Sequence, residues 1–260
     1  LPGGRAGDRG RVVRRRLTRH RIFHWVGPAS RISVDPVHSA DGQGRVESIN
    51  LAVVRDDLPT RYPTTGIDKR PAAGPVRLET AGVVGDTIVS ADVHGGPDQA
   101  VYAYSTHDLE FWRAELRRPV VPGNMGENLT LSGIDCSGAV LGERWQVGDA
   151  VLRVRAVRLP CRTFSAFLDV RDLIPRFIAA GRPGAYLAVE RPAQVGVGDP
   201  VRVLDRPAHG VTVADLAAAM TVDRDRVELV AQARDDLGER PRQWLDRTLA
   251  GRERGRAAAS

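Results

Sequence analysis

From residue 45 onward the chain is written as short β-branched runs parted by Gly, Asp and Pro, and this spacing is its tightest constraint. A short run that alternates apolar and polar side chains can bury only one face. A series of such runs closed by turn residues therefore packs as an all-β barrel or sandwich. Residues 45–54, RVESINLAVV, give the clearest case. Further strands are expected at 76–78, 100–104, 128–131, 144–147, 150–157, 185–189 and 201–204. Gly148-Asp149 and Gly198-Asp199 precede strands and read as turns.

Two helices interrupt the pattern. Ser105 and Asp108 cap the first, and Leu109, Trp112 and Leu116 then share one face. The second, at 170–180, ends at Gly181 but contains Pro175, which puts its continuity in question. Both are expected outside the barrel or over its ends. After Asp205-Arg206-Pro207 the texture turns helical, with Thr212 capping 213–220, Asp223 capping 224–234 and Pro241 in the first turn of a helix through Leu249. The expected organisation is a disordered basic tail at 1–44, a barrel domain at 45–205, a three-helix extension at 206–250 and a disordered tail at 251–260.

Charge narrows the function. Residues 1–44 carry nine arginines against three aspartates, the whole of the chain's +6, while the remainder balances 29 cations with 29 anions. The basic character thus belongs to one arm, including Arg14, Arg15 and Arg16, and the body gives no reason to expect a specific nucleic-acid reader. The acids of the helical segment likewise argue against a DNA-reading helix-turn-helix. No apolar run is long enough to span a bilayer, and two cysteines without zinc spacing write neither a disulfide framework nor a structural zinc site. A reducing, cytoplasmic setting without membrane attachment is expected.

Cys161, in VRLPCR, follows a strongly alternating strand, so it belongs at a strand end where a side chain can face a ligand. Arg158 and Arg162 can favour its thiolate, the form that acts as nucleophile or soft metal ligand; a buried apolar cysteine is an equal reading of the local sequence. Cys136, in acidic, turn-rich company, reads as incidental. In HGGPDQA (94–100), His94, Gly95, Gly96 and Asp98 form a loop that lets backbone N–H groups approach an anion or a flat heterocycle, or else an ordinary tight turn. In Gly126-Glu127-Asn128, Asn128 offers a donor and an acceptor beside a glycine, though any hairpin entry can look so. Lys69 is the sole lysine of an arginine-rich chain, and with Arg70 it can face a phosphate or solvent.

In their order, GIDKRP (66–71), GVVGD (82–86), DVHGGPDQAVYAYS (92–105), GNMGENLTLSG (123–133), GERWxxG (142–148), VRLPC (157–161), GRPGAYL (181–187) and RPAHGVTV (206–213) resemble the YiiM-like branch of the MOSC-domain proteins. The resemblance runs from about residue 45 to 249. It implies a mainly β fold: a MOSC-type β-barrel with a few peripheral helices, then a small C-terminal three-helix unit. It further implies the molybdenum cofactor, a mononuclear molybdenum on a pterin dithiolene (molybdopterin), with Cys161 as the protein's sulfur ligand and catalytic residue. Lys69, Arg70, Asp98, Asn128 and Arg158 would line the pterin and its phosphate, and His94, Gly95, Gly96, Gly126 and Glu127 would shape the pocket. The chain departs from the family loop at Val93 and Gln99, where histidine and lysine are usual.

The implied activity is reduction of N-hydroxylated compounds, such as hydroxylamino purines and amidoximes, to amines, a detoxification. Electrons would come from a separate flavin or iron–sulfur reductase, because neither a dinucleotide fingerprint nor a cluster-binding cysteine set is present. The alternatives are a cofactor or sulfur carrier working through a Cys161 persulfide, and a non-enzymatic interaction module. Oligomeric state stays open, a homodimer included.

Overall fold

The computed structural model describes residues 43–89 and 95–259, with side chains to Ala257. The basic arm at 1–42, with Arg14, Arg15 and Arg16, lies outside the described residues, as do Val93 and His94. In chain order come β1 (Gln43–Ala52), β2 (Lys69–Pro71), β3 (Val76–Glu79), β4 (Gly82–Val83), β5 (Val101–Ser105), α1 (Thr106–Leu116), β6 (Leu129–Ser132), β7 (Arg144–Val147), β8 (Ala150–Ala156), α2 (Arg162–Phe167), α3 (Leu173–Ala180), β9 (Ala185–Arg191), β10 (Ala193–Val195), β11 (Pro200–Asp205), α4 (Val213–Thr221), α5 (Val227–Ala231) and α6 (Glu239–Ala259).

Seven strands close on themselves in the order β11-β7-β8-β9-β5-β6-β1, with β1 pairing back to β11. Closure leaves no open edge among them. All neighbours are antiparallel except β5 and β6, whose parallel pairing requires the crossover that α1 supplies. Strand β2 extends the sheet at the far end of β1, pairing Lys69 with Ala52. Strands β3, β4 and β10 form a separate small sheet. The inward faces bury Val46, Leu129, Leu131, Trp145, Leu152, Val154, Leu187 and Val201.

The helical extension shares this core. Val213, Leu216, Val227, Val230, Leu237 and Leu245 are buried in the same cluster as the barrel's Leu141 and Trp145. A buried carboxylate ties the two: Glu143 accepts from Trp145 Nε1 at 2.8 Å and from Arg206 Nε at 2.7 Å. A second, aromatic cluster, with Tyr102, Tyr104, Trp112, Phe164 and Phe177 buried in it, packs α1, α2 and α3 against β5. Its polar atoms are spent internally, Trp112 Nε1 donating to Tyr104 Oη at 2.8 Å and Tyr102 Oη to the Pro183 carbonyl at 2.7 Å.

The expected strands and the Ser105 and Thr212 caps are all present. Four expectations need correction. Helix α3 starts at Leu173, so Pro175 falls in its first turn, where a missing N–H costs nothing. The segment expected as one helix from 224 to 234 is the short α5 between two 3₁₀ turns, and Asp223 spends its side chain on Arg226 Nε at 2.9 Å rather than on a cap. Helix α6 runs to Ala259, so residues 251–259 are helical where a disordered tail was expected. Residues 43 and 44, assigned to the basic tail, already belong to β1.

Candidate functional site

The site lies at the barrel end where β1 and β8 finish and β5 and β6 begin. Its centre is a buried polar network around Asp86, which follows β4. Asp86 Oδ1 accepts the Ala52 N–H at 2.7 Å, and Oδ2 accepts both the Asn128 carboxamide at 2.8 Å and the Lys69 ammonium. The side chains of Lys69 and Asp86 are 9% and 6% exposed. Burial pushes the Lys69 ammonium below the usual lysine range, an effect the charges of Asp86 and Glu127 oppose and that of Arg158 reinforces.

Glu127, fully buried, holds the turn before β6. Its Oε1 accepts from the Gly123 N–H at 2.7 Å and the Thr130 hydroxyl at 2.9 Å, and Oε2 from the Met125 N–H at 3.0 Å. Burial raises its carboxyl above the ordinary range against the pull of those donors. The network continues inward, Asn50 Nδ2 donating to Thr130 Oγ1 at 3.1 Å and the Ser48 hydroxyl to Asn50 Oδ1 at 2.7 Å. The same turn needs glycine twice. Gly123 has φ +89° and a Cβ there would stand 2.1 Å from the Lys69 carbonyl, while Gly126 has φ +76° and its Cβ would meet Ile67 at 2.9 Å and Arg158 at 3.3 Å.

Arg158 is buried, with its guanidinium 4.3 Å from the Phe164 ring centre and 5.3 Å from that of Tyr102, and it donates to the Met125 carbonyl. It lies within Coulombic reach of Cys161 and Tyr186. Cys161 begins α2 in extended conformation, and its side chain makes no capping hydrogen bond, so the thiol is not spent on the fold. The residue is half-buried on the aromatic cluster, as are Ile67 and Tyr186. Arg162, also expected beside the thiolate, is exposed. Cys136 is sealed in the core and burial pushes its thiol well up, which makes it inert.

The remaining expected residues divide. Arg70 points away from Lys69 on the alternating strand, is 62% exposed and pairs with Asp68 at 2.9 Å. Asp98 is turned to the fold: Oδ1 accepts from Arg155 Nε at 3.0 Å and Oδ2 from the Glu239 N–H at 2.8 Å, so both oxygens tie β8 to α6. Asn128 is braced on every side, giving Nδ2 to Asp86 and to the Asn50 carbonyl at 3.3 Å while Oδ1 takes the Tyr102 N–H at 3.1 Å. Gly95 and Gly96 both have positive φ; a Cβ on Gly95 would strike Ile88, whereas one on Gly96 would meet nothing within 4 Å. Lys69, Gly126, Glu127, Asn128, Arg158 and Cys161 thus gather at one barrel end. Asp86, Tyr102 and Tyr186 complete the group without having been singled out, and the GVVGD motif is the one signal that pointed to Asp86.

Among the described residues no three His, Cys, Asp or Glu side chains are grouped to hold a bare metal ion. A metal at Cys161 would therefore need further ligands that it brings with it. A cavity of about 570 Å³ opens elsewhere, between Pro75, Gln146, Asp149, Gln194 and Arg202. The turn between β7 and β8 lines it, whereas Cys161 follows the other end of β8, so this cavity is not the site.

The family model for the MOSC domain matches residues 90–202. The chain is 32% identical over 149 residues to the uncharacterized protein YflK of Bacillus subtilis, covering 57% of this chain and 67% of that one. It is 29% identical over 175 residues to a protein of Gibberella moniliformis named reductase, covering 65% of this chain but only 31% of the fungal one. The crystal structure of YiiM from Geobacillus stearothermophilus superposes with a TM-score of 0.66 at 25% identity, over 79% of this chain and 99% of that chain.

Proposed function

We propose, for a chain that belongs to the MOSC-domain family and within it to the YiiM-like branch, a molybdenum-dependent oxidoreductase that reduces N-hydroxylated compounds to amines. The observation that carries this reading is the half-open Cys161 at the barrel end beside a buried guanidinium, with no other protein ligand set for a metal among the described residues. Such a donor set fits a metal that arrives on a sulfur-bearing pterin and takes one thiolate from the protein. The fungal relative's name, reductase, supports the redox class.

In this reading Cys161 binds the metal, Lys69 and Arg158 face the anionic parts of the pterin, and Arg70 stands at the rim. Gly96 leaves open space that any other side chain would fill. When bound, the group supplies two-electron chemistry and an acceptor for oxygen. The chain's part is preparation. Arg158 sets a buried positive charge within Coulombic reach of Cys161. Cys161 packs against the aromatic cluster of Tyr102 and Phe164, which covers part of it. The overall change is R–NHOH plus two electrons and two protons to R–NH₂ and water, with electrons from a separate flavin or iron–sulfur protein. No helix of the described residues is long and apolar enough to cross a membrane. A cytoplasmic setting belongs to the proposal.

The test supplies loaded protein with electrons from a chemical dye and measures amine formation from a hydroxylamino purine and an amidoxime. Wild type is expected to turn over, and Cys161→Ala to lose more than the roughly 10–100-fold that removing an outer-shell partner of a metal costs. Undiminished turnover in Cys161→Ala, or none in loaded wild type, would overturn the reading. A loaded wild type that yields no amine but carries a persulfide on Cys161 would point to the sulfur-carrier role instead.

A further inference from the structure

We infer that Asp86 is the positioning residue of this site: it clamps the Lys69 side chain and the Asn128 carboxamide in one geometry and presents Lys69 to an anionic group of the bound cofactor. The inference rests on the reading above for what Lys69 faces, but its core concerns this chain alone.

Three donors converge on one buried carboxylate. The Ala52 N–H fixes Oδ1 at 2.7 Å, so the carboxylate cannot rotate, and Oδ2 is shared by Lys69 and by Asn128 at 2.8 Å. Asn128 has both amide hydrogens and its oxygen engaged within the fold and keeps no donor for a ligand. Lys69 differs. An ammonium carries three donors, and among the described residues its side chain hydrogen-bonds to Asp86. Of the charged groups that face it, Asp86 and Glu127 favour its proton while Arg158 opposes it. Glu127 spends its oxygens on Gly123, Met125 and Thr130, so the hydrogen-bonded counter-ion is Asp86. Lysine on a flexible stem is a poor directional donor unless held. Asp86 supplies that hold and a charge that opposes the loss of the proton that burial favours.

Because Lys69 is the chain's only lysine, labelling with ¹⁵N-lysine gives a single side-chain resonance whose titration belongs to Lys69. In full-length Asp86→Asn its midpoint is expected to fall by at least about one pH, a tenfold loss of proton affinity. A second readout follows pterin fluorescence after oxidation. Asp86→Asn and Lys69→Met should each weaken pterin retention by roughly 10–100-fold. The double variant should be no worse than either single one, as expected for residues acting through one contact. The double variant removes both charges together, so it keeps the retention test available if Asp86→Asn alone does not fold. An unchanged Lys69 midpoint, or additive losses in the double variant, would overturn the inference while leaving the cofactor reading intact. Wild type that holds no pterin would instead refute the cofactor reading, with the Lys69 midpoint still deciding whether Asp86 is its clamp.

Discussion

At the scale of single residues, the site is a set of backbone and charge constraints around one loop. Gly123 sits where a Cβ would stand 2.1 Å from the Lys69 carbonyl, at φ +89°. Gly123→Ala is therefore expected to cost about 2–4 kcal/mol, measured by chemical denaturation. Glu127 gives a pH signature. Burial holds its folded carboxyl above the ordinary 4.5, so the folded state binds the proton more tightly than the unfolded one. Its contribution is fully present below about 4.5 and is lost as pH rises through the higher folded value. In Glu127→Gln that pH-dependent loss should vanish from the stability profile. The same variant sets an amide against the Met125 N–H and should cost about 1–3 kcal/mol at all pH values. The place of Cys161 just past a strand end, with Arg158 beside it, was legible in sequence from the alternating strand and the proline that precede it, whereas the roles proposed for them come from the family resemblance. Asp98 was legible as a residue of interest but not in its use, since Arg155 and Glu239 lie far from it along the chain.

At the scale of elements, periodicity reported what periodicity can. Strand β7 alternates through its whole length and β8 from Leu152 onward, and both were placed within a residue or so. Strands β2, β4 and β10 are two or three residues long and carry no period; β2 ends in a proline and exists because it pairs with the finish of β1. Helix α2 was hidden for the same reason, being short and begun by an uncapped Cys161. Helix α6 is held at its start by Asp98, whose carboxylate takes the Glu239 N–H. Asp98→Ala should destabilise by about 1–3 kcal/mol and speed amide exchange in the first turn of α6 before the barrel strands, a result hydrogen exchange can check. Equal protection of α6 in both proteins would show that the tie contributes nothing.

At the scale of the molecule, barrel and helical extension are one folding unit. Leu216, Val230 and Leu245 are fully buried in the cluster that holds Trp145 and Val201. One cooperative unfolding transition is expected across residues 43–257, and removing α6 should abolish folding rather than leave a stable barrel, as circular dichroism would show. Two separate transitions would contradict this. The closed barrel gathers strand ends from distant parts of the sequence, and for that reason Lys69, Asp86, Asn128, Arg158 and Cys161 come together although no local pattern joins them. The central claim is that this barrel end holds molybdenum through Cys161. Elemental analysis of the full chain, purified from a host that makes the pterin, tests it most directly. Molybdenum in near-equimolar amount in wild type and its loss in Cys161→Ala are predicted; metal-free wild type, or equal metal in both proteins, would contradict the account.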